Sequence, residues 1–135
     1  MATVLVTGAS GMLGQHLVPM LENRGYQVLA PSRNDVDLTD AAATSAFIQS
    51  NTIDAVIHCA AYVAGIASSK ASKHHSFDAN VSMGMNLIRS CLDNEISTLL
   101  NVGSATVYPG DAPQPLSETS LGQGAFEGPI EGYAL

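Results

Sequence analysis

Short apolar runs alternate with helical patterns along the first hundred residues of the chain. Four runs rich in aliphatic and β-branched residues predict strands at residues 3–8, 26–31, 54–61 and 97–104. Three segments between them carry apolar residues at helical spacing. The strands are apolar throughout instead of alternating with polar residues, which is typical of a parallel sheet covered by helices. The pattern therefore predicts an α/β fold with a doubly wound parallel sheet.

The three predicted helices cover residues 11–25, 37–51 and 77–95. We expect Thr39 or Asp40 to cap the second helix, because both side chains can accept a hydrogen bond from a free backbone N–H. Helical spacing also predicts the side chains that face the sheet. They are Leu13, Leu17, Met20 and Leu21 in the first helix, Ala42, Ala46 and Ile48 in the second, and Val81, Met85, Ile88 and Leu92 in the third.

Two further stretches have neither pattern. Residues 62–75 are rich in Ser, Ala and Lys, and residues 108–132 contain many Pro and Gly, so both are predicted to be loops. His74 and His75 would then be loop residues, and His58 would pack inside a strand. We expect one domain over residues 1–135.

Composition narrows the possible partners. With 135 residues, of which 46% are hydrophobic and 13% charged, the chain can bury a compact core. A net charge of -7 with only five Lys and Arg argues against nucleic acid as a partner. No apolar stretch approaches the ~20 residues of a membrane span, and the N-terminus lacks the basic start of a signal peptide. Cys59 and Cys91 have no metal-ligand spacing, so we expect buried free thiols in a reducing cytoplasm and no metal site.

A glycine-rich turn joins the first strand to the first helix. In VTGASGMLG, Gly8 would allow the tight turn, Gly11 the approach of a pyrophosphate, and Gly14 the packing of helix on strand. The helix N-terminus would offer free N–H groups to the phosphates. The alternative is an ordinary glycine-rich turn, but its place between a strand and a helix favours a Rossmann-type dinucleotide site. The residues expected to contact the cofactor here are Gly8, Ser10, Gly11, Met12, Leu13 and Gly14.

The residues after the second strand bear on the choice of dinucleotide. Enzymes that use NAD usually carry an acid there for the ribose 2′-hydroxyl, whereas positions 30 and 31 are Ala and Pro. Ser32 and Arg33 could instead bind a 2′-phosphate, which favours NADP over NAD. The alternative is that Arg33 is a solvated loop charge. Asp37 and Leu38 could meet the adenine.

Several motifs together resemble a known family. TGASGMLG, DLTD, HCAA, NVSMGMNLI, VGSATVYP and the terminal YAL resemble the extended short-chain dehydrogenase/reductases. AAYVAGI, YPGDAPQPLSETSLGQGAFEG and PIEGYA resemble, more narrowly, the GDP-L-fucose synthases, which are NADPH-dependent 3,5-epimerase/4-reductases of GDP-4-keto-6-deoxymannose. The likeness spans the whole chain but only the N-terminal part of such an enzyme. The resemblance thus implies an incomplete NADP-binding Rossmann domain at residues 1–135, without the substrate-binding domain.

The resemblance also implies roles for individual residues. Ser104 and Tyr133 match the family's catalytic Ser and Tyr, and the Lys of YxxxK would fall at the second position beyond Leu135. The Tyr would protonate the C4 oxygen and contact the cofactor, and the Ser would hydrogen-bond the same oxygen. Thr106 stands where the family has the Cys of the epimerase step. Ala60 and Ala61 would contact the cofactor, and Asn80 would brace the active site.

Three functional hypotheses remain open at this stage. The first is NADPH-dependent reduction, with or without epimerisation, of a 4-keto-6-deoxy nucleotide sugar in the cytoplasm. The resemblance implies that the complete enzyme is a homodimer formed through the long helix and the helix of the Tyr-Lys motif, of which this chain contains the first. The second is an NAD-dependent nucleotide-sugar 4-epimerase or dehydratase, which Thr106 favours and Arg33 opposes. The third is a non-catalytic dinucleotide-binding module, because the YxxxK lysine is missing. Without the resemblance, Ser104 could be a strand-end hydroxyl and Tyr133 an exposed aromatic near a terminus. Because YxxxK breaks off at Leu135, we expect the 135 residues to be an inactive fragment of a longer enzyme.

Overall fold

A parallel sheet forms the centre of the computed structural model, which describes residues 1–63 and 73–124. Its strands are β1 (Thr3–Thr7), β2 (Gln27–Leu29), β3 (Ala55–His58) and β4 (Leu99–Asn101). They lie in the order β2-β1-β3-β4, and every neighbouring pair is parallel. The predicted parallel sheet is confirmed.

Helices connect the strands in both directions across the sheet. They are α1 (Met12–Asn23), α2 (Ala41–Gln49) and α3 (Lys73–Asp93). The chain steps one way from β1 to β2, and then crosses back to β3 and on to β4. Right-handed crossovers therefore place α1 on one face and α2 with α3 on the other. The direction changes between β1 and β3, and a crevice outside the carboxyl ends at such a point is where α/β sheets bind ligands.

The main hydrophobic core lies between the sheet and the helices α2 and α3, which cover one of its faces. Leu5 and Val56 are paired in register on neighbouring strands and are almost fully buried. Ile48 from α2 and Leu87 from α3 pack against them. The other buried members of this cluster are Val36, Leu38, Ile53 and Cys91. Val36 and Leu38 belong to the loop after β2, so the core holds that loop in place.

The buried faces of α1 and α2 agree only in part with the predicted ones. In α1 only Gly14 is fully buried, against the backbone of the preceding turn, while Leu17 and Leu21 are partly buried and Leu13 and Met20 are exposed. In α2 the predicted Ile48 is buried together with Thr44, whereas Ala42 and Ala46 are exposed. Thr44 is satisfied internally, since its hydroxyl donates to Asp40 O at 2.8 Å.

The apolar face predicted for the long helix is also exposed. Leu87 and Cys91 of α3 point into the core, and buried Asn86 and Ser90 accompany them. The predicted face, which we call the α3 stripe, lies on the surface with exposed fractions between 41% and 73%. Spacing alone could not choose between these two faces, since both repeat with the helical period. The α3 stripe consists of Val81, Met85, Ile88 and Leu92.

Some element boundaries also differ from the prediction. The helix α3 begins at Lys73, so His74 and His75 are helical and not in a loop. The strand β4 ends at Asn101, and a short 3₁₀ helix follows at Ala105–Val107. A second 3₁₀ helix, Glu118–Ser120, interrupts residues that were predicted as loop. The predicted cap of α2 is Asp40, whose carboxylate accepts from the N–H groups of Ala42 and Ala43.

The chain divides into two compact units. The first contains residues 1–61 and 81–102, and therefore the whole sheet. The second contains Tyr62–Asn80 and the chain from Gly103 onward. No helix within residues 1–63 and 73–124 is long and apolar enough to cross a membrane. Over the same residues, no group of three His, Cys, Asp or Glu side chains could hold a metal ion.

Both cysteines are free thiols in the first unit. Cys91 is buried and Cys59 is partly buried. Burial raises the pKa of each thiol, which keeps it protonated at neutral pH and poorly reactive.

Candidate dinucleotide site and serine turn

The glycine turn between β1 and α1 is tightly packed. Gly8 has a φ of +68°, and a Cβ there would lie 2.6 Å from Ala60 N. A Cβ on Gly14 would overlap the Gly8 carbonyl oxygen and Ala9 Cα. The turn is closed by a hydrogen bond of 2.9 Å from Gly11 N to Gly8 O. Only glycine fits at positions 8 and 14, as the sequence predicted.

The start of α1 suits an anion. Gly11 occupies the N-cap position and provides no side-chain cap, so the first N–H groups of the helix have no partner within it. The first turn contains no acidic residue that would compete with a phosphate. Met12 is the first residue of α1 and is 84% exposed, and its contact with the cofactor stays a prediction. The turn and the helix start therefore fit a pyrophosphate group.

A buried polar network supports the turn from below. Thr7 Oγ1 lies 2.6 Å from His58 Nδ1 and accepts a longer hydrogen bond, 3.3 Å, from Ala60 N. The Thr7 hydroxyl therefore links the imidazole of His58 to the backbone N–H of Ala60. Burial lowers the pKa of His58, which favours the neutral imidazole. The network fixes the backbone at Ala60, against which Gly8 packs, while Ala61 is exposed.

The loop after β2 presents the groups predicted to select the dinucleotide. Ser32 donates from both its backbone N–H and its hydroxyl to Asp35 Oδ2, each at 2.7 Å. These bonds hold the pKa of Asp35 below its usual value. Arg33 is 77% exposed, and its Nη2 lies 3.8 Å from Asp37 Oδ2. Hydrogen bonds from Thr39, assisted by Arg33, likewise lower the pKa of Asp37.

Two buried polar side chains anchor this loop. Asn86 Nδ2 donates to Leu38 O at 2.9 Å and to Thr39 O at 3.1 Å. Thr44 Oγ1 lies 3.3 Å from the same Leu38 oxygen. The side chain of Leu38 packs in the core, so a contact with adenine would come from its backbone. Asn86 was not singled out from the sequence, although an Asn between buried residues of an amphipathic helix signals a specific partner.

In the second unit, Ser104 caps the first 3₁₀ helix. Its Oγ accepts from Thr106 Oγ1 at 2.9 Å and from Thr106 N at 3.3 Å. A hydroxyl oxygen accepts two hydrogen bonds and donates one, so Thr106 occupies both acceptor positions. The Ser104 hydrogen is therefore left to donate to another group. We call residues 104–106 the serine turn.

The same local geometry occurs a second time. Ser117 caps Glu118–Ser120, and its Oγ lies 2.9 Å from Thr119 Oγ1. Both residues of this second turn are exposed, whereas Ser104 and Thr106 are partly buried. Residues 117–119 thus offer a matched comparison for the serine turn.

Asn80 braces a backbone segment of the second unit. Its side chain accepts from Tyr62 N at 2.7 Å and donates to Tyr62 O at 3.1 Å. The Tyr62 ring also meets the edge of the His75 ring, with 4.6 Å between centroids. Asn80 therefore fixes the backbone at Tyr62, and its expected role in bracing the active site stays a prediction.

The expected site residues fall into three sets. The glycine turn, Ala60 and the loop after β2 lie in the first unit, where the carboxyl ends of β1, β2 and β3 share one edge of the sheet. The serine turn and Asn80 belong to the second unit. Tyr133 lies outside the described residues.

Comparison with known proteins finds curated relatives that are synthases of GDP-linked sugars. It is 36% identical over 132 residues to a GDP-L-fucose synthase of Azorhizobium caulinodans, covering 98% of this chain and 42% of that enzyme. A GDP-L-colitose synthase of Yersinia pseudotuberculosis is 33% identical, and the match covers 98% of this chain and 43% of that protein. The chain thus spans less than half the length of these relatives.

Solved structures agree with the sequence matches. A GDP-mannoheptose C4 reductase from Campylobacter jejuni with NADP bound superposes with a TM-score of 0.93 at 26% identity, over 98% of this chain and 42% of that one. The model of the NAD dependent epimerase/dehydratase family matches residues 4–135. Together with the glycine turn and the parallel sheet, these matches show that the chain belongs to the NAD dependent epimerase/dehydratase family.

Proposed function

We propose that this chain is the dinucleotide-binding part of an NADPH-dependent reductase that acts on a 4-keto-6-deoxy nucleotide sugar, as in the GDP-L-fucose synthases. The observation that carries the proposal is the serine turn. Because Thr106 occupies both acceptor positions of Ser104 Oγ, the Ser104 hydroxyl is oriented as a donor. A reductase needs such a donor at the carbonyl oxygen of its substrate, where negative charge develops during the reaction.

When bound, NADPH supplies the hydride that reduces the C4 carbonyl. Ser104 donates a hydrogen bond to the oxygen of that carbonyl and stabilises the growing alkoxide. Tyr133 gives the same oxygen a proton, as the family resemblance implies. The glycine turn and the N–H groups at the start of α1 hold the pyrophosphate, which fixes the cofactor relative to the sheet.

NADP is proposed over NAD because of the loop after β2. Ala30 and Pro31 follow β2 directly, so no carboxylate stands where a ribose 2′-hydroxyl would be held. Arg33 projects into solvent and can reach a 2′-phosphate. The reductase from Campylobacter jejuni that resembles this chain was solved with NADP bound, which agrees with the proposal.

Thr106 bears on the epimerase half of the reaction. A Thr hydroxyl is a far weaker acid than a Cys thiol, whose ordinary pKa is about 8.5. In addition, Thr106 already donates its hydrogen to Ser104. We therefore assign Thr106 to orienting Ser104, and propose that reduction at C4 proceeds without rapid proton exchange at C3 and C5.

The proposed assembly is a homodimer formed through the α3 stripe. The apolar side chains of the stripe are exposed, and burying an aliphatic side chain fully contributes about 1.5–3 kcal/mol. Four such residues on one helix face would be typical of a helix–helix interface.

A second candidate is an NAD-dependent 4-epimerase of nucleotide sugars. The presence of Thr at position 106 favours it, and Arg33 beside the expected ribose position opposes it. A non-catalytic module that only binds the dinucleotide is the third candidate. These candidates differ in turnover: the first consumes NADPH, the second interconverts sugars without net oxidation, and the third does neither.

The test compares two serine variants in the protein as its gene encodes it. Ser104→Ala should lower kcat for NADPH-dependent reduction of GDP-4-keto-6-deoxymannose about 10²- to 10³-fold, the usual cost of one oxyanion donor. Ser117→Ala removes the same hydroxyl from the matching exposed turn and should leave kcat unchanged. Equal activities of the two variants would contradict the proposed role of Ser104. Absence of NADPH consumption by the unaltered protein would contradict the proposed function.

A further inference from the structure

The groups predicted to hold a 2′-phosphate already bind carboxylates of the same loop. Ser32 directs both its N–H and its hydroxyl at one oxygen of Asp35, at 2.7 Å each. Asp37 lies beside Arg33, but at 3.8 Å, with the Arg33 side chain largely exposed and that of Asp37 partly exposed. Asp35 therefore holds its partner tightly, whereas Asp37 holds Arg33 loosely.

Asp35 cannot easily be displaced by movement of the loop backbone. Asp35 N and Val36 N both donate to Ser32 O, at 3.1 and 3.2 Å. Val36 and Leu38 are buried in the core directly after Asp35, and Asn86 holds the Leu38 carbonyl. A phosphate that is to reach the Ser32 donors must therefore rotate the Asp35 side chain away.

The net charge of the loop after β2 also disfavours a 2′-phosphate. Over residues 32–37 there is one cation, Arg33, and two carboxylates, Asp35 and Asp37, which gives a net charge of 1 − 2 = −1. Both carboxyl groups are ionised at neutral pH, as an ordinary Asp is, and their hydrogen bonds lower the pKa further. A phosphate monoester brings a further charge of about −1.5 to −2. The ribose of NAD carries no such charge.

We propose that Asp35 is a specificity-determining residue, which competes with the 2′-phosphate for the Ser32 donors and so weakens the preference for NADP that Arg33 provides. The inference rests on the proposed dinucleotide site. Asp35 lies too far along the loop to act as the ribose-binding acid. Its role would instead be to set the ratio of the affinities for NADP and NAD.

The first test removes the charge of Asp35 and of a distant aspartate. In Asp35→Asn, affinity for NADP⁺ should rise about tenfold relative to affinity for NAD⁺, since one nearby like charge is removed from a doubly charged group. Asp93→Asn removes the same charge at the C-terminal end of α3. The C-terminal end of α3 precedes β4, so Asp93 lies at the amino ends of the strands, opposite the dinucleotide turn. This control should therefore change the affinities for NADP⁺ and NAD⁺ equally. Isothermal titration of the full chain with each dinucleotide, and with 2′-AMP and 5′-AMP as probes, gives the constants.

The second test asks whether the effect passes through Ser32. If Asp35 keeps the Ser32 hydroxyl occupied, Ser32→Ala should change NADP⁺ affinity less than twofold in the unaltered chain. In an Asp35→Ala background, where Ser32 has lost its acceptor, the same substitution should lower that affinity about five- to tenfold. Additive effects of the two substitutions would overturn the inference, as would an unchanged NADP⁺/NAD⁺ ratio in Asp35→Asn. Failure of the unaltered chain to bind either dinucleotide would instead overturn the proposed function, and this inference with it.

Discussion

Replacing Gly8 by Ala tests the packing of the dinucleotide turn directly. The substitution has two costs. An L-residue in the left-handed region costs roughly 1–2 kcal/mol, and Gly8 has a φ of +68°. The new methyl group would also lie within 2.7 Å of three backbone atoms of Cys59 and Ala60. Overpacking of this kind typically costs a further ~1–3 kcal/mol, and backbone atoms cannot turn aside as a flexible side chain can. The total is about 2–5 kcal/mol.

Gly25 separates the two costs. It follows α1 with a φ of +83°, but a Cβ there would meet nothing within 4 Å. Gly25→Ala therefore has the conformational cost alone, about 1–2 kcal/mol. The difference between the variants, about 1–3 kcal/mol, isolates the contact between the turn and the end of β3.

Urea unfolding of both variants, followed by circular dichroism, gives the measurement. With an m-value of ~1–3 kcal/mol per M, Gly8→Ala should unfold about 1 M earlier than Gly25→Ala. The same variant should also lose affinity for NADP⁺, since the turn can no longer pack against Ala60. If the two variants unfold at the same urea concentration, the close approach between Gly8 and Ala60 is not a feature of the folded protein.

Three further predictions concern side chains. Arg33→Ala should cost about 1.5–3 kcal/mol of NADPH binding free energy, measured by calorimetry, and leave NADH affinity unchanged. The control Arg89→Ala removes the same charge from α3 and should change neither affinity. Equal losses for both cofactors in Arg33→Ala would contradict the role of Arg33. Thr106→Val should lower kcat about three- to tenfold with little change in KM, because the Thr106 hydroxyl orients Ser104. Thr106→Ser keeps that hydroxyl and should restore kcat. A loss of kcat that Thr106→Ser does not restore would argue against the orienting role of Thr106. Because burial lowers the pKa of His58 while the unfolded chain titrates near ~6.5, the unfolded state binds more protons below that pH. The free energy of unfolding should therefore fall as pH drops through ~6.5 towards the folded pKa, and a His58→Gln variant that unfolds with the same pH dependence would refute this.

Much of the fold could be predicted because strand and turn signals are local. The apolar runs around Leu5 and Val56 needed no knowledge of their neighbours to be identified as buried strands. The need for glycine at positions 8 and 14 follows from where they stand between strand and helix, and the structure gives the same reason. The cap of α2 by Asp40 is another feature that a few adjacent residues determine.

The buried faces of the helices depended on distant packing. In α3, Leu87 and Cys91 and the α3 stripe have equal helical periodicity, and only contact with the sheet distinguishes them. In α1, the closest contact is made by Gly14, which a search for large apolar residues overlooks. The sequence pattern therefore missed a large apolar residue, Leu87, as well as a small one, Gly14.

The residues of the candidate site could be predicted from the sequence, but the hydrogen bonds between their side chains could not. Ser32 and Arg33 were assigned to a phosphate, but nothing in the spacing indicated that Asp35 holds both Ser32 donors. The bond between Thr7 and His58 joins residues 51 positions apart, so it depends on the pairing of β1 with β3. The Thr7–His58 contact comes from tertiary structure, whereas the Ser32–Asp35 contact joins residues three positions apart and depends on the local path of the loop.

The most direct test of the central claim follows a deuterium label. The protein as its gene encodes it is incubated with GDP-4-keto-6-deoxymannose and NADPH that carries deuterium at the transferable position of the nicotinamide, and the product is examined by NMR spectroscopy. The account predicts one deuterium at C4 of the sugar for each NADPH consumed. A sugar product formed without NADPH consumption and without deuterium at C4 would contradict reduction by this enzyme and favour the 4-epimerase.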